Sequence, residues 1–534
     1  MSQELFDQIV ALGQEHIFYG KERDPHKFET LLKKLAAIAA FYKNEGGLAG
    51  YANMAKQVVE QGKDKEVLGL YPPEVIPISE WTEEVEQAVH RGIELLPYIA
   101  EIYPVGGAAE RLNTGLPAAR FEFLGKNLLT RVIEDLQARE QLYFERYGVE
   151  ILTPIAMMTS EVGDNHEHVI NLCKEAHYFG RPKELFFFFK QPLVPTFDRT
   201  GKWHVTEPLT LDLKPNGHGV IWKLARENGV FDWLKKLGRT HALVRQINNP
   251  VASTDYGILA LMGYSQGKSM GFASCPRLVH AKEGMNIKKA FKDRKALSNI
   301  EYCDLKRYGI SDEPRSPDSK YSQFPSNTNI LFIDLQRIEE ASEKMPYPGL
   351  IVNFSKDKTH TRLESTMQNI ADILDEAETY ITYNIRRKTI STTKKRGHGD
   401  LETPEQCQKD MLENARELLG AYCQMKVPSN FSFHMHPALG PLWNDIRHKI
   451  HGGSLSEGSS LILEIGNLLL EDVHIEGSLT IIGEAILKTS LGDQSCCRLK
   501  NLSIKGDVVI RVKKGETVEM CGGVLESTPL RNRD

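Results

Sequence analysis

The sequence predicts an α/β protein whose core is a largely parallel sheet. Three observations carry this. Short apolar runs recur between about residues 95 and 430, among them Ile99–Val105, Glu150–Met158, Leu185–Phe189, Leu243–Ile247, Asn329–Leu335 and Leu350–Phe354. Stretches with a helical period separate them, as at Leu129, Val132, Ile133 and Leu136. Several runs end on Gly, Ser, Thr or Asn, the residues that line ligand loops at the carboxyl edge of such a sheet.

Residues 1–92 are expected to be a helical N-terminal domain. Leu31, Leu32, Leu35, Ile38 and Phe41 form one apolar stripe, and Tyr71-Pro72-Pro73 and Ile76-Pro77 interrupt the pattern. Thr82 then reads as the cap of a further helix, with Glu83 and Glu84 in its first turn. Residues 93–435 hold the α/β core. Residues 436–534 read as a β domain, because short alternating strands punctuated by Gly477, Gly483 and Gly506 suggest a β-solenoid or a small β fold.

With 534 residues, 41% apolar and 26% charged, the chain has ordinary globular composition. A net charge of -5 argues against broad nucleic-acid binding, and no apolar run is long enough for a membrane span. The first residues carry no signal or transit pattern, and the eight cysteines have no metal or disulfide spacing. Together these lead to the expectation of a cytoplasmic protein with reduced thiols.

Two stretches carry the chemistry. In the first, Gly106-Gly107 breaks the apolar run and Arg111 follows with a forked donor set that matches phosphate oxygens. That turn alone reads equally as an ordinary tight turn. In the second, Lys214-Pro215-Asn216-Gly217-His218-Gly219-Val220-Ile221-Trp222, a histidine stands between two glycines, where imidazole and backbone can both touch a ligand. Pro-Asn-Gly also suits a plain surface turn. A third stretch, residues 384–399, is densely basic without acids of its own and reads either as a solvated loop or as a phosphate-attracting lid.

Taken together, GGAAERL, LPAA, QAREQLYF and the Asn216-to-Gly219 loop resemble the UDP-glucose pyrophosphorylase family, over about residues 95 to 480. The resemblance implies a GT-A-like, Rossmann-type nucleotidyltransferase core with a C-terminal β-helix-like domain that serves homo-oligomer contacts. It implies UTP and a sugar 1-phosphate as substrates, with Mg²⁺ as cofactor. UDP-glucose is the expected product. N-acetylglucosamine 1-phosphate or broad sugar specificity, and a binding protein that has lost catalysis, stand as alternatives.

Carried over by position, the resemblance assigns Gly106, Gly107 and Arg111 to the nucleotide loop, Thr159 and Ser160 beside it, and Gln191 to the uracil. Gly217, His218 and Gly219 would meet the nucleoside and sugar, with Asn248, Asn329 and Glu364 as further contacts. Arg111 and Lys356 would neutralise phosphate, and Asp255 would be the metal-site acid. Each has a plainer reading: Thr159-Ser160 as a helix cap, Gln191 on a backbone group, Arg111 paired with an acid, Lys356 at the surface, Glu364 and Asp255 structural. Two departures stand out. Ala118 occupies the family's lysine position, leaving Arg120 as a nearby cation, and Asn248 replaces an aspartate that would bind the metal better.

Overall fold

A computed structural model describes residues 2–61, 67–107, 112, 114–352, 359–397, 401–484 and 495–527. Its central sheet has eleven strands: β1 (Gly69–Tyr71), β2 (Ile76–Pro77), β3 (Ile99–Pro104), β4 (Ile155–Thr159), β5 (Phe186–Lys190), β6 (His241–Arg245), β7 (Met270–Cys275), β8 (Met285–Ala290), β9 (Lys295–Ile300), β10 (Ser326–Asp334) and β11 (Thr379–Tyr383). The main path runs β2-β11-β7-β10-β6-β3-β4-β5, and β1, β8 and β9 extend it to one side. Pairs β6-β3, β3-β4, β4-β5, β7-β11 and β11-β2 are parallel, as expected.

The strand β10 departs from that expectation. It runs antiparallel between β6 and β7, with Arg245 opposite Ile330 and His241 opposite Asp334. Its amino end therefore lies at the same edge as the carboxyl ends of its parallel neighbours. The run Leu350–Phe354 differs too: Ile351 makes one bridge to Glu364, and residues 353–358 fall outside the described residues.

Alternation along β3 builds the layers. Ala100 and Ile102 join the core on one face, while Ile99 and Tyr103 join cores on the other. The helices Ser2–Ala11, Pro25–Phe41 and Leu48–Gln61 pack through Leu31, Leu35, Ile38 and Tyr51 into the same cluster as Ala100 and Trp222. Between them and the sheet, Pro72, Pro73 and Pro77 exclude helix, and the chain adds β1 and β2 instead. Thr82 does cap the helix Glu83–Glu94, accepting from Val85 N–H at 3.3 Å. The helix Leu128–Tyr147 follows the first loop. It starts on Asn127, which accepts from Thr130 N–H, and stops at Gly148 with φ 68°.

That helix brings Asp135 and Arg139 beneath the sheet edge. There they meet Glu101 of β3 and Arg245 of β6, all nearly or fully buried. Two carboxylates and two guanidiniums balance, Tyr103 donates to Glu101, and Ser253 accepts from both arginines. Burial without this pairing would be prohibitive.

The C-terminal region forms two parallel sheets. One contains Ser432–Met435, Ser460–Glu464, His474–Gly483, Ser503–Val512 and Val524–Glu526; the other Ile450–His451, Leu469–Glu471, Cys496–Lys500 and Thr517–Cys521. Leu461, Leu463, Ile475, Leu479, Ile504 and Leu499 fill the space between them, so the coils stack as in a solenoid. Gly477 and Gly506 lie in register on neighbouring coils. A Cβ on Gly477 would stand 2.4 Å from the Gly506 carbonyl oxygen, which explains the recurring glycines. No helix among the described residues is long and apolar enough to cross a membrane.

Candidate active site

Two groups of predicted residues assemble at the carboxyl edge of the sheet. The first sits on β3, β4 and β5. The loop after β3 is tied to the loop after β4: Ser160 Oγ donates to the Gly106 carbonyl at 2.8 Å, and Val105 N–H donates to Met158 O at 2.8 Å. Gly106 is needed for close packing, since a Cβ there would stand 2.1 Å from Gln191 Nε2. Gln191 is buried against this turn, and its Oε1 has no hydrogen-bond partner among the described residues. Thr159 is fully buried and bonds His166 Nδ1 at 2.8 Å. Gly107 is exposed beside them.

The second group surrounds His218. Gly217, at φ +86°, and Gly219 press against the 364–366 backbone, where Cβ atoms would stand 2.4 Å from Ser365 O and 2.1 Å from Ser365 Oγ respectively. Gly219 N–H donates to Ser365 O at 2.8 Å. Glu364 flanks this contact, held by two backbone bonds to Ile351 and an ion pair with Arg362 at 3.1 Å. His218 Nδ1 accepts from Met367 N–H at 3.1 Å, so the neutral ring carries its proton on Nε2. Burial first, and then the Lys394 ammonium, push the imidazole down to about 4. At neutral pH His218 is therefore a neutral donor.

Asn329 and Asn248 join this group through neighbours. Asn329, at φ +58°, accepts from Asn327 and Gln368, the latter adjacent to Met367. The Asn248 carbonyl accepts from Thr393 N–H at 2.8 Å, which places Lys394 toward His218. Asn248 Oδ1 is buried without a hydrogen-bond partner among the described residues.

Asp255 sits differently from an open metal ligand. It is 3% exposed; Oδ1 accepts from Gly257 N–H at 2.9 Å, and the Asn384 amide bonds both oxygens. Burial raises its carboxyl above the usual range. In this arrangement the carboxylate is engaged by protein donors. Arg120, the cation near the position of the missing lysine, makes a two-pronged pair with Glu175 at 2.9 and 3.1 Å. Arg111 and Lys356 lie outside the described residues.

The basic stretch 384–399 is corrected by its partners. Arg386 pairs with Glu283, Arg387 and Lys388 with Glu417, and Lys394 with Glu402 at 3.1 Å. Acids, two of them distant in sequence, therefore neutralise Arg386, Arg387, Lys388 and Lys394, so this part of the stretch is not a free positive lid. Sequence reasoning missed Asn165, whose fully buried amide donates to Val105 O and accepts from Ser160 N–H, bracing the loops after β3 and β4 together. Nothing in its local sequence marks it, because Val105, the partner that ties it to the other loop, lies 60 residues away.

A mostly parallel sheet with glycine loops and buried polar atoms gathered at its carboxyl edge is the arrangement in which open α/β folds hold small-molecule ligands. The chain belongs to the UTP–glucose-1-phosphate uridylyltransferase family, whose profile matches residues 129–398, just over half of it. A second profile, UGP3-like C-terminal hexapeptide repeats, matches residues 450–505. The chain is 39% identical over 531 aligned residues to UTP–glucose-1-phosphate uridylyltransferase 3, chloroplastic, of Arabidopsis thaliana, covering 86% of this chain and 60% of that relative's length. A UDP-sugar pyrophosphorylase of Oryza sativa subsp. japonica is 22% identical, with 89% and 84% covered. In fold, the chain is similar to the uridine diphosphate N-acetylglucosamine pyrophosphorylase of Trypanosoma brucei, with TM-score 0.66, 17% identity, and 84% and 94% of the two chains covered.

Proposed function

We propose that this chain transfers a uridylyl group from UTP to glucose 1-phosphate, forming UDP-glucose and pyrophosphate. The observation that carries the reading is the buried, unpaired Gln191 Oε1 beside the Gly106 turn, in a chain of this family. An uncommitted acceptor there suits the imide N–H of uracil, and a site with an unpaired buried polar group discriminates strongly for its partner.

In the reaction, a phosphate oxygen of the sugar phosphate forms a bond to the α-phosphorus of UTP as the bond to the β-phosphate oxygen breaks. The protein's task is positioning and charge neutralisation, and no covalent nucleophile is required. The Gly106–Gly107 backbone would border the nucleotide, with Ser160 and Asn165 fixing the turn. His218 would offer Nε2–H to the nucleoside or sugar without itself ionising. Arg111 and Lys356 would supply the fixed positive charges.

The residues fit a divalent ion at one point. Asn248 Oδ1 is a buried oxygen with no hydrogen-bond partner among the described residues, of the kind Mg²⁺ accepts, and Asn248 would hold the ion together with substrate phosphates. When bound, the ion neutralises phosphate charge. The neutral Asn248 and the engaged Asp255 also favour a second reading, a nucleotide-sugar-binding protein without turnover.

The eight cysteines carry thiols rather than disulfides, which supports a reducing compartment, the cytoplasm in this reading; the name of the Arabidopsis relative gives a chloroplast setting for that protein. The C-terminal coils are proposed as a left-handed β-helix-type assembly module. A coupled pyrophosphate-release assay with UTP and several sugar 1-phosphates tests the main reading. Turnover with UTP and preference for glucose 1-phosphate is expected. UTP binding with no pyrophosphate from any sugar 1-phosphate would leave the binding-protein reading in its place.

A further inference from the structure

Away from the residues above, three side chains from distant parts of the sequence converge: His204, Asp212 and His360. We propose that they form a site for a tetrahedral divalent transition ion, with Zn²⁺ the ion the donor set favours. The backbone fixes their placement. His204 N–H donates to Thr196 O at 2.8 Å, Asp212 N–H to His204 O at 3.0 Å, and Thr196 N–H to Asp212 O at 2.9 Å. His360 is brought alongside by pairing with Asp198.

The three donor atoms lie within 4.8 Å of one another, and both separations from the carboxylate suit a shared ion. Asp212 Oδ2 lies 3.5 Å from His204 Nδ1 and 3.3 Å from His360 Nε2. Zinc bonds of about 2.0–2.1 Å at a tetrahedral angle separate neighbouring ligand atoms by roughly 3.3–3.4 Å. The two imidazoles stack at 4.0 Å and nearly parallel, so binding one ion through both requires the rings to tilt toward each other. His204 Nδ1 is buried and makes no hydrogen bond among the described residues, because 3.5 Å to Asp212 is too long for one. Coordination would satisfy that atom. Thr196, itself buried, donates to Asp212 Oδ2 at 2.8 Å and orients the carboxylate, as supporting groups around metal ligands do.

Two imidazoles and one carboxylate are a borderline donor set that suits Zn²⁺ or Co²⁺; Mg²⁺ and Ca²⁺ take oxygen-rich sites. The side chains are half-buried, so the ion can enter from solvent and water can take the fourth position. The location gives the ion a role. Asp212 directly precedes the strand Leu213–Pro215, which leads into the His218 loop. His360 precedes Arg362, whose Nε donates to Pro215 O at 2.7 Å, and the Ser365 backbone that closes on Gly217 and Gly219. An ion here staples together the two segments that hold His218.

The test uses the full chain, stripped of metal by a chelating resin and then titrated. Calorimetry with Zn²⁺ should give one saturable site, and Co²⁺ should give the intense visible bands of tetrahedral coordination, with Mg²⁺ ineffective at both. His204→Gln and His360→Gln should each weaken Zn²⁺ binding by at least about a hundredfold. Zn²⁺ should raise the melting temperature of the wild-type chain and of neither variant. No saturable Zn²⁺ binding to the wild type, only octahedral Co²⁺ bands, or undiminished binding in the variants would each overturn the proposal. None of these readouts depends on transferase activity.

Discussion

His218 should make the protein sensitive to acid in a measurable way. Burial and Lys394 depress its imidazole to about 4, from an unperturbed 6.5. The unfolded chain therefore takes up a proton between these values that the folded chain refuses. The stability this contributes is fully present above pH 6.5 and drains as pH falls through the folded value. Between about pH 7 and 4.5 the linkage amounts to roughly 2.4 kcal/mol, an upper figure because the ring keeps some solvent exposure. His218→Asn isolates the effect. Its amide oxygen can replace Nδ1 as acceptor for Met367 N–H, and it does not titrate. Urea unfolding can be followed by tryptophan fluorescence, since Trp222 Nε1 bonds the Met367 carbonyl at 2.8 Å and reports on this loop. Wild type should lose up to about 2.4 kcal/mol more than the variant across the interval. Contributions from other buried histidines, such as His436, held at about 3, are common to both proteins and cancel. Equal losses in the two proteins would refute the assignment of a neutral, enclosed His218.

Three further outcomes are expected. Gly219→Ala drives a Cβ to within 2.1 Å of Ser365 Oγ and 2.5 Å of Thr366 N, and should cost about 1–3 kcal/mol and weaken UTP binding by calorimetry; an unaltered isotherm would show that the loop does not serve the ligand. Glu101→Gln leaves Arg139 and Arg245 sharing one carboxylate and should lower unfolding stability by about 3–5 kcal/mol, whereas a loss under about 1 would mean the network is not tightly coupled. Arg111→Ala and Lys356→Ala should each reduce kcat/KM by about a hundredfold, while Arg120→Ala, its guanidinium committed to Glu175, should change it by less than about threefold; the reverse pattern would relocate the phosphate site.

The sequence by itself determined the elements and the family. Apolar runs at strand length mark β3 to β6, Thr82 marks a helix start, and Gly477 and Gly506 mark stacked coils, because these features follow from neighbours within a few residues. The tight loops around Gly106 and His218 were legible for the same reason: a glycine pair or a Gly-His-Gly run is a local constraint. Tertiary structure decided what those side chains meet. Only the antiparallel direction of β10 brings Asn329 to the edge that Asn248 occupies, and strand direction depends on pairing between distant segments. Arg386, Arg387, Lys388 and Lys394 of the basic stretch pair with Glu283, Glu417 and Glu402, and Arg120 with Glu175, since electrostatic partners are chosen by proximity in space. His204, Asp212 and His360 carry no motif spacing at all. Their convergence exists only because a short strand at residue 360 pairs with one at residue 198.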